Sequence, residues 1–104
     1  MLDFHIGQIV FSKMGRDKGL ALIIMALEGD FAYLVDGKTR PLEKPKKKKL
    51  KHLQPTKYIN HNLADIFVNN KYIKNSDIKE VIRAYLSPTV KGEDSNGERR
   101  CNRG

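Results

Sequence analysis

The chain has 104 residues and a formal net charge of +8 at pH 7, so it has room for one small domain with short appendages. Its single cysteine excludes an internal disulfide and is typical of a reducing compartment. The first residues lack a basic leader region, and the longest apolar run, 20–27, is too short to span a bilayer. We therefore expect a cytoplasmic protein.

The first third of the chain has the pattern of strands separated by turns marked by glycine. The ranges 6–13, 20–28 and 31–35 are β-branched, aromatic or continuously apolar. Gly29-Asp30 between the last two is typical of a hairpin connection, because glycine supplies the positive φ that tight turns need. These ranges predict three strands.

Two more short strands are predicted in the ranges 39–43 and 50–54, after a second tight turn at 36–38. Five short strands with tight turns favour a small curled barrel, because such a strip hides its apolar face only by closing on itself. We expect an α+β protein in which residues 1–57 form a five-stranded SH3-like barrel that includes the basic stretch.

Beyond Pro55 the apolar residues change to helical spacing. They recur at this spacing in 59–67 and more regularly in 78–86, which predicts two short helices in an extension at 58–87. Residues 88–104 hold three glycines, mixed charges and almost nothing apolar, so we expect a disordered tail there.

The net positive charge is concentrated in residues 38–57. This stretch contains nine basic residues and one acidic residue, Glu43, so it accounts for a charge of +8. A polyanion is the natural partner of such a block, because an anion relieves the repulsion among like charges. A solvated lysine run without a partner is the alternative. Prolines bracketing the run, with Leu50 and Leu53 after it, favour a run held on a folded surface.

A second basic element is the loop from Gly15 to Gly19. The two glycines allow a tight turn, and the guanidinium of Arg16 can grip a phosphate bidentately, whereas Lys18 acts as a mobile point charge. Because Asp17 would repel phosphate, we expect it to brace the loop through a backbone hydrogen bond or to orient Arg16. An ordinary hairpin with solvated charges remains the alternative.

The strand, the Gly-Arg-Asp-Lys-Gly loop and the apolar strand that follows resemble the KOW motif of RNA-binding SH3-like barrels. That motif is found in several ribosomal proteins and in NusG-type transcription factors. The later run Tyr33–Gly37, the basic stretch and Lys51–Thr56 are similar to the fourteen-e family of large-subunit ribosomal proteins, including its short bacterial relatives. The resemblance covers about residues 6–57. The range 76–86 resembles that family's C-terminal helix more loosely.

The resemblance implies a non-catalytic ribosomal or ribosome-associated protein that binds folded ribosomal RNA through backbone phosphates. Its partners would be the large ribosomal subunit and neighbouring ribosomal proteins, without a membrane, small-molecule substrate, metal or cofactor. The candidate RNA-binding residues come from the loop and the basic stretch: Lys13, Arg16, Lys18, Lys38, Arg40, Lys44, Lys46, Lys47, Lys48, Lys49, Lys51 and His52.

Two other functions remain open. The chain could be an adaptor in translation or transcription that docks a protein partner through its two helices. The lysine block could also bind polyanions or membrane surfaces without specificity.

Catalytic and metal-binding patterns are weak. His5, His52 and His61 lie far apart without ligand-spaced cysteines or carboxylates, so no zinc site is predicted. No glycine-rich nucleotide loop of the P-loop or Rossmann type is present, and Cys101 in the tail has no designated base.

Four aromatic residues are candidates for stacking on unpaired bases: Phe4, Phe31, Tyr33 and Tyr58. The strand pattern of 31–35 puts Phe31 and Tyr33 on one side of the sheet, and we expect at least one of them in the core.

Overall fold

The computed structural model describes residues 4–87, so the predicted tail at 88–104 lies outside the described residues. The chain is α+β, with an antiparallel five-stranded sheet followed by two helices. The elements are β1 (Gln8–Ser12), β2 (Ala21–Glu28), β3 (Phe31–Val35), β4 (Lys46–Lys49), β5 (Leu53–Ile59), α1 (His61–Val68) and α2 (Asn75–Leu86). Neither helix has the length and apolar character needed to cross a membrane.

The strands follow the order β4-β3-β2-β1-β5 across the sheet. The two edge strands, β4 and β5, are therefore consecutive in the chain, and a single 3-10 turn at Leu50–His52 joins them. The predicted hairpin at Gly29-Asp30 is confirmed, since Glu28 pairs directly with Phe31 on either side of it. The first four strands thus form a meander, and the fifth pairs with the first.

Side-chain alternation gives the sheet two buried faces. One face contributes Ile9, Ile23 and Val35 to a core completed by Leu63 of α1 and Ile78 of α2. The helices therefore share a core with the sheet, because their apolar stripes cover one of its faces.

The opposite face of the sheet forms a second core without the helices. Val10, Leu22, Ile24, Leu34 and Leu53 are all fully buried in it. β2 supplies residues to both cores, and its apolar run over 21–27 begins with four buried residues, as expected where a strand is covered on both sides.

Two predicted strands differ from the observed ones. The range 39–43 is a turn region, because Asp36 Oδ1 accepts the backbone N–H groups of Lys38 and Arg40 at 2.8 and 2.7 Å. Pro41 has no N–H to offer a ladder. The fourth strand is the lysine run itself, Lys46–Lys49.

The fifth strand also begins later than predicted. Residues 50–52 form the 3-10 turn, and β5 runs to Ile59, two residues past the expected barrel boundary at residue 57. Both helices lie where the spacing predicts them, and α1 ends at Val68 just before Asn69-Asn70.

The sheet is strongly curled. Lys48 of β4 donates a hydrogen bond of 2.8 Å to the hydroxyl of Ser12 at the end of β1, although two strands separate these elements in the sheet. In a flat sheet three strand spacings would amount to about 14 Å, which is beyond the reach of a lysine side chain. The ends of β4 and β1 must therefore bend toward each other over the second core.

Two glycines bring the helices against the sheet. Gly7 and Gly37 have φ of 88° and 80°. An added Cβ at Gly7 would lie 2.6 Å from the carbonyl oxygen of Asn60 before α1, and one at Gly37 would run into the carbonyl oxygen of Asn75 in α2. Only glycine permits both the backbone conformation and the close approach at these positions.

We expect Gly37→Ala to lower the free energy of unfolding well beyond the cost of left-handed backbone alone, which is about 1–2 kcal/mol. The added methyl group must also push α2 away from the end of β3. Gly19→Ala is the matched control, because Gly19 has φ of 88° and no atom within 4 Å of an added Cβ. Urea unfolding measures both, and equal destabilisation by the two substitutions would contradict this account of helix docking.

Candidate nucleic-acid interface

Five of the twelve predicted RNA-binding residues line one cleft beside the β1–β2 loop. They are Arg16, Arg40, Lys46, Lys48 and His52, and the cleft also contains Met14, Gly15 and Asp17. We call it the loop cleft; its volume is about 320 Å³. The loop and the lysine strand, which are separate in sequence, therefore face the same space.

A buried ion pair between Lys48 and Asp17 forms the floor of the loop cleft. The Lys48 ammonium donates hydrogen bonds of 2.8 Å to Asp17 Oδ1, to Ser12 Oγ and to the carbonyl oxygen of Met14. The side chains of Lys48 and Asp17 are only 9% and 5% exposed. All three donor positions of the ammonium are used, so Lys48 is committed to holding the loop against β4.

Asp17 also lies close to Arg40, whose Nη2 is 3.8 Å from Asp17 Oδ2. Asp17 braces the loop, but largely through side chains, since its carboxylate contacts Lys48, Ser12 and Arg40 besides the expected backbone hydrogen bond. The alternative expectation, that it orients Arg16, is not observed, because no hydrogen bond or ion pair joins the two side chains. Two cations thus share one carboxylate, which leaves the cleft with excess positive charge. The buried Nε of Arg40 has no hydrogen-bond partner within residues 4–87.

Burial of the Asp17 carboxylate acts to raise its pKa, because a charged group is costly away from water. The hydrogen bond from Lys48, a backbone hydrogen bond and the charges of Lys48 and Arg40 outweigh this effect, and the pKa lies below its ordinary value of 3.8. Asp17 is therefore ionised at neutral pH, and its contribution to stability is lost only as the pH falls through this lowered pKa.

The remaining walls of the loop cleft carry cations that are free to bind a ligand. The side chain of Arg16 is exposed and makes no hydrogen bond or ion pair to any residue in the range 4–87, and neither does the side chain of the half-buried Lys46. A guanidinium and an ammonium over a concave, positively charged floor suit the tetrahedral oxygens of a phosphate group.

Strand alternation divides the lysine run between two surfaces. Lys46 and Lys48 pair with Leu34 and Ala32, whereas Lys47 and Lys49 pair with Tyr33 and Phe31 on the opposite face. That opposite face belongs to the core with the helices, in which Val35 at the end of β3 is buried, whereas Phe31 and Tyr33 are only half-buried. We call this half-buried part the open face. The four lysines therefore do not act as one cluster.

Lys47 interacts with three neighbours on this open face. Its ammonium lies 4.7 Å from the ring centroid of Phe31 and 5.8 Å from that of Tyr33, within the range of cation–π attraction. It also lies 3.6 Å from a carboxylate oxygen of Glu28. The expectation of Phe31 or Tyr33 in the core is wrong, because both are half-buried and neither belongs to either core.

The five other predicted residues lie around these two surfaces. Lys13 and Lys18 are exposed on the β1–β2 loop, Lys38 and Lys44 on the connection between β3 and β4, and Lys51 on the 3-10 turn. None of them makes an ion pair with another residue between 4 and 87. They form an exposed basic border around the loop cleft and β4.

A search with models of known protein families and a search of curated proteins each find no match. The resemblance to KOW-motif proteins and to the fourteen-e family therefore stays a prediction. Within residues 4–87, no three histidine, cysteine, aspartate or glutamate side chains gather closely enough to hold a metal ion.

The sequence did not indicate that Ser12 and the carbonyl oxygen of Met14 accept hydrogen bonds from Lys48 in particular. A weak signal was present, since a serine directly after Val10-Phe11 ends a strand beside the loop. No local pattern, however, distinguishes Lys48 from its three identical neighbours.

We expect Lys48→Met to lower the free energy of unfolding at pH 7 by about 3 kcal/mol, because it leaves the buried Asp17 carboxylate without its main partner. The destabilisation should shrink as the pH is lowered from 7 to 3, because the variant's carboxylate, still buried but without the Lys48 hydrogen bond, takes up a proton at a higher pH than that of the wild type and so loses its uncompensated charge. Chemical unfolding measured from pH 7 to pH 3 tests both parts.

Lys49→Met is the matched control, since Lys49 is exposed on the next position of the same strand and makes no ion pair within the described residues. It should change the stability by less than about 0.5 kcal/mol. Similar destabilisation in both variants, or an effect of Lys48→Met that does not depend on pH, would refute the structural role of this ion pair.

Proposed function

We propose that this protein is a non-catalytic ribosomal or ribosome-associated RNA-binding protein. It docks on folded ribosomal RNA of the large subunit through phosphate contacts, with the loop cleft as the principal contact and β4 as the second. The observation that carries the proposal is the loop cleft, where the glycine-bracketed loop and the lysine strand meet around excess positive charge.

The proposal includes an SH3-like barrel as the scaffold. Three observations support it: the strand order, the short 3-10 turn that joins the two edge strands, and the hydrogen bond from Lys48 to Ser12 over the second core. In such a barrel the β1–β2 loop and the lysine strand lie at the same rim, so one folded RNA can contact both.

Recognition would depend mostly on the shape and backbone of the RNA. Lysine ammonium groups bind phosphate as point charges and carry little information about base identity. A folded RNA holds its phosphates at fixed spacings. A rigid cleft beside the basic strand β4 can therefore favour RNA structures whose phosphate spacing matches its cations.

The salt dependence of RNA affinity tests the phosphate contacts. We expect Arg16→Gln/Lys18→Gln and Lys47→Gln/Lys49→Gln each to flatten the slope of log affinity against log salt. The change should be roughly 0.7 to 0.9 for each phosphate that the variant no longer neutralises, because fewer counterions are released on binding. Lys48 is left unchanged, since its replacement would destabilise the fold. Binding of large-subunit ribosomal RNA is measured at several salt concentrations.

Lys74→Gln/Lys79→Gln is the control for these variants, because it removes two exposed lysines, one at the N-cap of α2 and one within it, and neither lines the loop cleft or the aromatic cleft. It should leave the slope nearly unchanged. Slopes that change equally in all three double variants would point to general charge attraction, and slopes that change in none would end the proposal. Equal affinity for heparin and ribosomal RNA would favour nonspecific polyanion binding.

A second candidate function is an adaptor that docks a protein partner through the helices. It is favoured by exposed apolar residues near α1, since Val68 is 62% and Tyr72 is 86% exposed. Tyr72 also lines an apolar groove with Ile66 and Phe67. Ile66 and Phe67 pack against the core, so they support the fold as well as the groove.

Val68→Asp/Tyr72→Asp separates the two functions without disturbing the core. If RNA contacts hold the protein on the ribosome, this variant should co-sediment with large subunits as the wild type does, and Arg16→Gln/Lys18→Gln should be released at lower salt. The reverse pattern would establish the adaptor.

A further inference from the structure

A second cleft lies at the C-terminal end of β4, beside the β2–β3 hairpin. Phe4, Phe31 and Leu50 give it apolar walls, and Lys49, Lys51 and Asp30 complete its lining. We call it the aromatic cleft. We propose that it binds the base of an unpaired RNA nucleotide, whose phosphates contact Lys49 and Lys51. This inference rests on the proposed RNA-binding function and extends it from the backbone to a base.

The aromatic cleft has the size and open wall surface that a base requires. Its volume is about 580 Å³, well within the usual range of small-molecule sites. Phe4 and Phe31 are both half-buried and make no ring contact with each other. The walls are therefore anchored in the fold, and no residue in the range 4–87 fills the space between them.

Phe31 is held in place by its strand. It pairs with Glu28 across the β2–β3 hairpin and with Lys49 across to β4, and the backbone N–H of Leu50 donates to the carbonyl oxygen of Asp30 at 2.8 Å. Phe4 is fixed separately, by packing against the second core. A rigid aromatic wall loses little entropy when a flat ring stacks on it.

The charges around the aromatic cleft favour a nucleotide over an apolar peptide. Lys49 and Lys51 are exposed and have no ion-pair partner within the described residues, so two cations flank an apolar recess. An apolar ring attached to an anionic backbone matches this arrangement, because the ring leaves water while each phosphate gains a cation.

Asp30 constrains how a nucleotide can enter. Its exposed carboxylate has no hydrogen-bond partner in the range 4–87, and it would repel a phosphate. The phosphates must therefore lie toward Lys49 and Lys51, and the carboxylate can accept hydrogen bonds from the N–H groups of a base edge or from a ribose hydroxyl.

A tryptophan introduced at the wall tests this site directly, because the chain contains no tryptophan. Phe31→Trp is titrated with a single-stranded RNA of mixed sequence and with a strand of equal length and charge that lacks its bases. Tyr72→Trp, on the exposed side near α1, is the control. We expect the base-containing strand to quench the fluorescence of Phe31→Trp and the abasic strand to leave it unchanged, with no quenching of Tyr72→Trp by either.

Two further variants link the signal to affinity. Phe4→Leu and Phe31→Leu should each weaken binding of the base-containing strand about 5- to 150-fold, the range for removal of one stacked base, and leave the abasic strand unaffected. Circular dichroism verifies that both variants keep the fold. Their salt slopes should equal that of the wild type, because every phosphate contact is retained.

Each remaining outcome overturns a defined part of the account. If both strands bind with equal affinity and a normal salt slope, the aromatic cleft does not bind a base, and the phosphate contacts stand. If the fluorescence of Phe31→Trp responds only to large-subunit proteins freed of RNA, the cleft binds a protein. If neither strand nor ribosomal RNA binds at any salt concentration, the RNA-binding function itself is wrong.

Discussion

The buried hydrogen-bonded pair of Lys48 and Asp17 determines how the basic parts of this protein are arranged. The pair connects the edge strand β4 to the β1–β2 loop over the second core. This contact is possible only because the sheet is curled, and it holds the loop in place. Without a buried acceptor in the loop, the curl would bring cations together with nothing to offset their repulsion. The loop cleft, and the excess positive charge around it, depend on this one carboxylate.

This arrangement separates cations that maintain the fold from cations that are available to a ligand. Lys48 and, in part, Arg40 are occupied with Asp17, whereas Arg16, Lys49 and Lys51 have no such partner within residues 4–87. The division explains how one short stretch can carry most of the net charge and still be part of a sheet. The two proposed contacts, for phosphate and for a base, both include lysines of β4, since Lys46 and Lys48 line the loop cleft and Lys49 lines the aromatic cleft.

Much of the fold could be predicted from local patterns, and the exceptions have physical causes. The hairpin at Gly29-Asp30 and the two helices follow from turn chemistry and apolar spacing, which act over a few residues. The strand at 46–49 could not be predicted, because four lysines have low intrinsic preference for a sheet. Its place depends on β3 beside it and on the distant Asp17, and such long-range partners leave no trace in a local pattern.

The candidate site was predictable in its composition and less so in its geometry. The glycine-bracketed loop and the basic stretch were recognisable from charge and residue type alone. The two meet in one cleft because the sheet is curled, which no local pattern predicts. The partial exposure of Phe31 likewise depends on long-range packing. Lys47 and Lys49 lie on the opposite face from the loop cleft because side chains alternate along β4. This division could not be predicted without that strand.

Four identical residues in one strand have an unusual consequence for the alignment of β4. Shifting the strand so that Lys46 takes the place of Lys48 would put another lysine opposite the same carboxylate, so side-chain identity does not by itself choose between these two alignments. The flanking residues must choose instead, with Pro45 marking where pairing can begin and the buried Leu53 marking where the chain must return to the core. Insertion or deletion of a pair of lysines would thus conserve the chemistry of the strand while changing the length of the connections on either side.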